Sequence, residues 1–382
     1  TIGMAKLSRE LNEKGFDVIN LSLGEPDFDT PIHVREAAKR AIDEGYTHYP
    51  PISGFMELRK VISEKFKRDN GLDYSPQQVV VSTGAKQAIA NVVLSLVNKG
   101  DEVLIPKPYW VSYIEIVKLA EGKPVYMPSS IETNFKITPE QLESAITPRS
   151  KLFMFSSPCN PTGTVYTREE LAALAKVFEK HTHVFILSDE IYEHINYRGK
   201  HETIAQFASI RDRVIIVNGV SKSFAMTGWR IGYSASPLWI AQACDKMQGQ
   251  FTSGASSISQ KASEAALSNG LESTRQMCAA FHRRRDLMVK LVRQIPHVTV
   301  NEPDGAFYVF PDVSYYLGKS AQEKKIDTLN DLCMYLLYNA HVSTVPGTAF
   351  GDEKCIRISY SASDENIEKA ITRIHNALLV LK

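Results

Sequence analysis

The sequence predicts an α/β protein: a mostly parallel, doubly wound sheet in a large domain, with a smaller α+β domain. Three observations carry that prediction. From about residue 31, helical stretches alternate with short apolar runs of strand length. The runs are β-branched and almost uninterrupted, as a sheet covered on both faces requires. Past about residue 272 the alternation gives way to one long helical stretch and sparser strands.

The elements follow in order. Val18 to Leu23 is a strand candidate that can join the later region. Thr30-Pro31 reads as a helix start, threonine as N-cap and proline at the first helical position, before the periodic run Ile32, Val34, Ala37, Ala38, Ala41, Ile42. Helices are expected near 54–70, 85–98, 110–120, 167–180, 237–249 and 256–268. Between them lie strand candidates at 79–82, 102–105, 151–155, 184–187 and 214–217. A long helix over 273–295 then leads to strands at 306–310, 342–345 and 356–360, with helices near 327–339 and 364–381. The expected division is a large domain over 31–280 and a small one made of 1–30 plus 281–382. No repeat or low-complexity linker marks the boundary.

Of the 382 residues, 43% are hydrophobic and 23% charged, a globular composition that excludes disordered and fibrous classes. The 44 basic and 43 acidic side chains give a net charge of +1, so no footprint of a nucleic-acid or membrane-surface binder is visible. The run His282-Arg283-Arg284-Arg285-Asp286 is short and mixed, and reads as a solvated helix face. Five scattered cysteines (159, 244, 278, 333, 355) without a C-x-x-C pair point to reduced thiols, no metal site and a cytoplasmic location. There is no stretch of 18 apolar residues and no leader pattern. The chain starts at Thr1 without methionine, so the native N-terminus is expected to be missing.

In open α/β sheets ligands bind beyond the carboxyl ends of the strands, which directs attention to four loops. Ser82-Thr83-Gly84-Ala85-Lys86-Gln87 runs from a strand into a helix, where backbone N–H groups can hold a phosphate; a commonplace Gly-Ala turn is the plain alternative. In Ser156-Ser157-Pro158-Cys159-Asn160-Pro161-Thr162-Gly163 two prolines restrict the backbone around Asn160 and aim its amide, although such a stretch is also an ordinary turn. Asp189 ends an apolar strand. A carboxylate there is costly to desolvate unless paired, so an internal arginine or a ligand cation is expected, with a turn or N-cap aspartate as the alternative.

The fourth loop, Ser221-Lys222-Ser223-Phe224-Ala225-Met226-Thr227-Gly228-Trp229-Arg230, carries the strongest signal. A lysine for an aldehyde, the carboxylate of Asp189 for a ring nitrogen, and Arg230 with Ser221 for a phosphate together suit pyridoxal 5'-phosphate (PLP).

With Leu23-Gly24-Glu25-Pro26-Asp27-Phe28-Asp29-Thr30-Pro31, Pro108-Tyr109-Trp110, Asn160-Pro161-Thr162-Gly163, Ser188-Asp189-Glu190-Ile191-Tyr192, Ser221-Lys222, Gly228-Trp229-Arg230 and Arg357-Ile358-Ser359-Tyr360, the chain resembles the class I, fold-type I PLP-dependent aminotransferases. Within them it is most similar to the bacterial aspartate aminotransferases of subgroup Ib. The resemblance runs from about Val18 to the C-terminus.

It implies that Lys222 forms the Schiff base and shuttles the proton between substrate and cofactor. It also implies that Asp189 keeps the pyridine nitrogen protonated, and that Asn160 and Tyr192 bond the cofactor's phenolic oxygen. Trp110 would stack on the ring, and Gly84, Ala85, Lys86, Ser221 and Arg230 would surround the phosphate. Arg357 would bind the substrate α-carboxylate and Gly24 would approach the same substrate. Trp110 and Asn160 also border it, and Lys86 would meet a distal carboxylate. Tyr49 matches a tyrosine that reaches the neighbouring subunit's phosphate, which implies a homodimer with composite active sites.

Three departures lie near the substrate. Gln250-Phe251-Thr252-Ser253-Gly254-Ala255 lacks a small-polar run ending in proline, Cys159 sits between the two prolines, and the N-terminal segment that closes over substrate is expected to be absent. The favoured function is transamination from L-aspartate to 2-oxoglutarate by ping-pong chemistry. Aromatic, alanine or prephenate aminotransferase, a PLP lyase and a non-catalytic effector domain remain as alternatives. A doubly wound oxidoreductase is disfavoured because no G-x-G-x-x-G follows the first strands.

Overall fold

Alternate residues of the apolar runs face opposite ways, and both faces are covered. In the computed structural model, which describes residues 2–321 and 324–382, Val79, Val81, Phe153, Phe155, Ile186, Val214 and Ile216 belong to one buried cluster. Their neighbours Val80, Leu152, Met154, Leu187, Ile215 and Val217 belong to another. This is the burial that period-two side chains give when helices pack on both sides.

After α1 (Ile2–Glu13), β1 (Ile19–Asn20), α2 (Ile32–Asp43) and α3 (Met56–Lys65), the sheet strands begin. They are β2 (Val79–Ser82), β3 (Glu102–Pro106), β4 (Lys123–Met127), β5 (Ser150–Ser156), β6 (Phe185–Asp189), β7 (Val214–Gly219) and β8 (Gly232–Ala235). The seven-stranded order is β2-β8-β7-β6-β5-β3-β4, parallel except that β8 runs against both its neighbours. The crossovers carry α4 (Ala85–Leu96), α5 (Ser112–Leu119), α6 (Pro139–Ala145) and α7 (Arg168–Lys180), and α8 (Leu238–Phe251) and α9 (Ser257–Ser268) follow.

Two sheet strands carry no apolar run. The edge strand β4 contains a lysine and a proline and is partly exposed, as sheet edges tolerate. β8, Gly-Tyr-Ser-Ala, is made mostly of small residues, and at Gly232 a Cβ would strike the Gly84–Ala85 backbone.

The 21-residue α10 (Glu272–Val292) leads into the second region and contains residue 280 in mid-helix. There β9 (Tyr308–Val309), β13 (Val345–Pro346) and β14 (Ile356–Ser359) form an antiparallel sheet in the order β13-β14-β9. β10 (Ser320–Ala321) pairs with β11 (Lys324–Lys325), and β1 pairs in parallel with β12 (Val342–Ser343). α11 (Leu329–Tyr335) and α12 (Asp364–Leu379) complete the region. Its buried cluster takes in Met4 and Leu11 of α1 and Ile19 of β1, so the chain's start folds onto its end.

Three sequence expectations are corrected here. The Thr30 hydroxyl does not cap α2; it donates to the Ala225 carbonyl at 2.7 Å and accepts from Trp229 Nε1. The run at 282–286 is not a solvated face. Arg284 is buried and pairs with Asp27 at 2.7 Å and Asp364 at 3.3 Å, and buried Arg285 donates to the Pro303 carbonyl. The beginning of the chain is helix α1, packed on the body of the protein.

Candidate active site

Parallel pairing brings Ser156 and Asp189 side by side at the carboxyl ends of β5 and β6, with Asp189 level with Val217 of β7. A cavity of about 420 Å³ opens there. Into it come Ala85 and Lys86 from the start of α4, Trp110 and Tyr113 around the start of α5, Asn160, and Ser221, Lys222 and Arg230 from beyond β7. Tyr192, Gly24 after β1 and Arg357 on β14 close it. Gly84 stands just behind this lining as the residue preceding α4, and Tyr49 is 96% exposed and outside the cavity.

Lys222 Nζ donates to the Gly24 carbonyl and lies 5.8 Å from the Tyr192 ring centre. Removal from water pushes its pKa down to about 8, and the Arg357 and Arg230 charges push the same way against Glu25 and Asp189. The lysine is poised to be a neutral amine, the form that attacks a carbonyl.

Asp189 is buried, and its acceptors are met by two donors: Tyr113 Oη to Oδ2 at 2.7 Å and the Ile191 N–H to Oδ1 at 3.3 Å. Desolvation raises its pKa to about 6 despite these bonds. No internal arginine pairs with it among the described residues, so of the two partners expected from sequence a ligand cation is the one for which room remains. The adjacent Glu190 takes no part; it accepts from Ser188 Oγ and His201 Nε2 at 2.9 and 3.0 Å.

At the start of α4 two glycines hollow out a cradle. A Cβ on Gly84 would strike the Arg230 guanidinium, and one on Gly232 would strike the Gly84–Ala85 backbone. Gly84 itself has φ +83°, a conformation that favours glycine. Free N–H groups of the 12-residue α4, the Arg230 fork and the Ser221 hydroxyl face this hollow, as an anion requires. Lys86 stands beside it with Nζ 5.1 Å from the Trp110 ring centre, and burial followed by Arg230 lowers its pKa.

On the far wall, buried Arg357 donates from Nη1 to Asn160 Oδ1 at 2.9 Å and from Nη2 to the Ser22 carbonyl at 2.6 Å. Its Nε has no partner among the described residues, and its guanidinium lies 4.5 and 5.0 Å from the ring centres of Tyr308 and Phe350. Tyr192 and Tyr308 share a hydrogen bond at 2.7 Å. A Cβ on Gly24 would come within 2.6 Å of Tyr308 Oη, so only glycine lets the backbone pass there.

The donor set fits PLP: a buried amine for the aldehyde, a cation-seeking carboxylate for the ring nitrogen, and a hollow of N–H groups and a guanidinium for the phosphate. Sequence reasoning missed Tyr113 and Tyr308, and gave Ser156, the first residue of the Asn160 loop, no role of its own. Tyr113 lies one turn after Trp110, its N–H bonded to the Trp110 carbonyl at 3.0 Å, so the reading of Trp110 would have reached it. The N-terminal segment expected to be absent is also corrected, since Ala5 and Arg9 of α1 line the cavity.

Comparison with known proteins follows this geometry. The profile of the family described as aminotransferase class I and II matches residues 17–374. A bifunctional aspartate aminotransferase and glutamate/aspartate-prephenate aminotransferase of Petunia hybrida is 49% identical, over 100% of this chain and 81% of its own. An aspartate/prephenate aminotransferase of Cereibacter sphaeroides is also 49% identical, over 98% and 94%. The crystal structure of an aspartate aminotransferase from Rhizobium meliloti superposes with a TM-score of 0.96 at 43% identity, covering 100% and 96% of the two chains. That of a Thermus thermophilus aspartate aminotransferase with maleate gives 0.92 at 39% identity, covering 98% and 96%.

Proposed function

The chain belongs to the class I and II aminotransferases, and from that premise we propose that it moves the amino group of L-aspartate to 2-oxoglutarate. It is a PLP-dependent enzyme of transamination between amino acids and 2-oxo acids. The observation that carries the dicarboxylate reading is Lys86. With Arg230 given to a phosphate and Arg357 to an α-carboxylate, Lys86 is a cation on the cavity lining, exposed in the single chain, that makes no hydrogen bond or ion pair among the described residues. Maleate, a dicarboxylate, accompanies the Thermus relative. Prephenate as a second oxo acid is favoured by the names of the Petunia and Cereibacter relatives.

Gly84, Ala85, Lys86, Ser221 and Arg230 would hold the phosphate, and Lys222 would hold the aldehyde carbon covalently. Bound PLP supplies an electron sink for the substrate α-carbon. Asp189 would face the ring nitrogen and keep its proton in place. Asn160, its Oδ1 engaged by Arg357, would have Nδ2 free to donate to the phenolic oxygen, alongside Tyr192. Trp110 covers the ring face and excludes water. Arg357 orients the α-carboxylate as a fork, Gly24 lets the substrate lie close, and Lys222 Nζ takes and returns the proton at the substrate α-carbon.

Residues 31–280 form the cofactor-binding domain in this reading, and 1–30 with 281–382 the domain that closes on substrate. Tyr49, exposed in the single chain, serves the phosphate of a second copy in a homodimer, and the protein works in the cytoplasm. No helix of the described residues is long and apolar enough to cross a membrane.

Steady-state kinetics with a panel of amino donors against 2-oxoglutarate tests the substrate. Lys86→Ala is expected to lower kcat/KM for aspartate by about 10- to 100-fold, the value of one partly desolvated charge contact, and to leave alanine and phenylalanine within about 3-fold. Equal losses on all three donors would reduce Lys86 to a phosphate counter-ion.

A further inference from the structure

We infer that Tyr113 is a positioning residue of the reaction, holding Asp189 ionised and aimed at the ring nitrogen of the cofactor. The inference rests on the role given to Asp189 above and adds to it a group that acts only through that carboxylate.

Tyr113 is 1% exposed and packs in the apolar cluster on one face of the sheet, among Val80, Ile105 and Met154. Phenylalanine would fill that space as well. A buried hydroxyl among such neighbours is costly unless bonded, and its partner here is Asp189 Oδ2 at 2.7 Å. Burial and the neighbouring carboxylate push the phenol far above its ordinary range, so it remains a donor at every working pH. A permanent donor favours the charged form of the carboxylate it touches.

The other groups around Asp189 do not replace it. The Ile191 N–H takes the second oxygen at the longer distance of 3.3 Å. Lys222 acts from beyond β7 by charge alone, without a hydrogen bond to the carboxylate. Cys159 is a buried thiol whose own pKa is raised. Glu190 works against ionisation of its neighbour, and is tied into its own bonds with Ser188, Thr203 and His201. Tyr113 is therefore the short, charge-assisted bond that sets the carboxylate's orientation.

The geometry also links two parts of the cofactor site. Trp110, just before α5, and Tyr113, in its first turn, meet edge to face, with ring centres 5.6 Å apart at 85°. One element thus presents the aromatic that covers the ring and the phenol that governs the partner of its nitrogen.

Tyr113→Phe tests this by titrating apoprotein with PLP, by the pH titration of the bound cofactor's visible band, and by kinetics. The PLP dissociation constant is expected to rise about 10-fold, the worth of one hydrogen bond to a charged group. The spectral midpoint should shift, the acid limb of activity should move to higher pH, and kcat should fall more than KM changes. In an Asp189→Asn background the same substitution should alter each quantity by less than about 2-fold, because the carboxylate it serves is gone.

An unchanged dissociation constant and spectral midpoint in Tyr113→Phe, or an equal loss in the Asn background, would overturn the inference. If the single variant fails to fold because its carboxylate is stranded, the double variant still decides, since it must then match Asp189→Asn alone. An Asp189→Asn enzyme with full PLP affinity and turnover would instead sink the Asp189 role itself, an outcome distinct from a silent Tyr113.

Discussion

Replacing Lys222 by alanine is expected to abolish turnover, by about 10⁴-fold or more, the upper end for loss of a positioned general acid–base group, and to remove the pH-sensitive visible absorbance of the lysine-bound cofactor. The physical ground is that among the described residues the only other lysine lining the cavity is Lys86. Lys222 Nζ donates to the Gly24 carbonyl and feels the charges of Asp189 and Arg357, whereas Lys86 stands over the Trp110 face. A small primary amine supplied in solution should restore part of the activity, because the missing group is an amine and the cavity left by the side chain admits one.

The same lysine gives a pH prediction. An ordinary lysine becomes neutral near pH 10.5, but burial brings Lys222 to about 8, so recombination of apoprotein with PLP should accelerate as pH rises through about 8 and level off above it. A rate still climbing toward pH 10 would mean that the amine is not desolvated as described. Transamination retained in the alanine variant would remove Lys222 from the chemistry altogether.

Arg357→Lys is the second large effect, with kcat/KM expected to fall by about 100- to 1,000-fold for every amino donor, the range for truncating one partner of a buried, hydrogen-bonded charge contact. Charge is kept in this variant, but the fork is lost. The planar guanidinium donates to Asn160 Oδ1 and the Ser22 carbonyl while lying against Tyr308 and Phe350, and an ammonium cannot match both bonds and both rings. Because the α-carboxylate is common to all donors, aspartate, alanine and phenylalanine should suffer alike, in contrast to Lys86→Ala. A loss confined to aspartate would place Arg357 at the distal carboxylate instead.

The strands of the large sheet and the loops that follow them were legible because they rest on local patterns. Five apolar runs with period-two burial announced β2, β3, β5, β6 and β7, and the rule that ligands bind beyond strand ends then pointed to Lys86, Asn160, Asp189 and Lys222. The edge strand β4 and the small-residue strand β8 escaped because neither needs an apolar run. Thr30 looked like a cap, yet its hydroxyl serves the chain near Ala225, and Arg284 and Arg285 looked solvated until their partners Asp27, Asp364 and Pro303 came into view.

The sequence by itself determined the class of fold, the cofactor chemistry and the residues on the sheet edge, since periodicity, turn residues and motif spacing are properties of neighbours along the chain. Only the tertiary structure decided which groups touch: Tyr113 on Asp189, Arg357 on Asn160, Lys222 on Gly24, and α1 along the cavity. Those contacts join segments far apart in the chain. Their physical basis is the burial of polar groups, each of which must find a partner wherever packing brings one within reach.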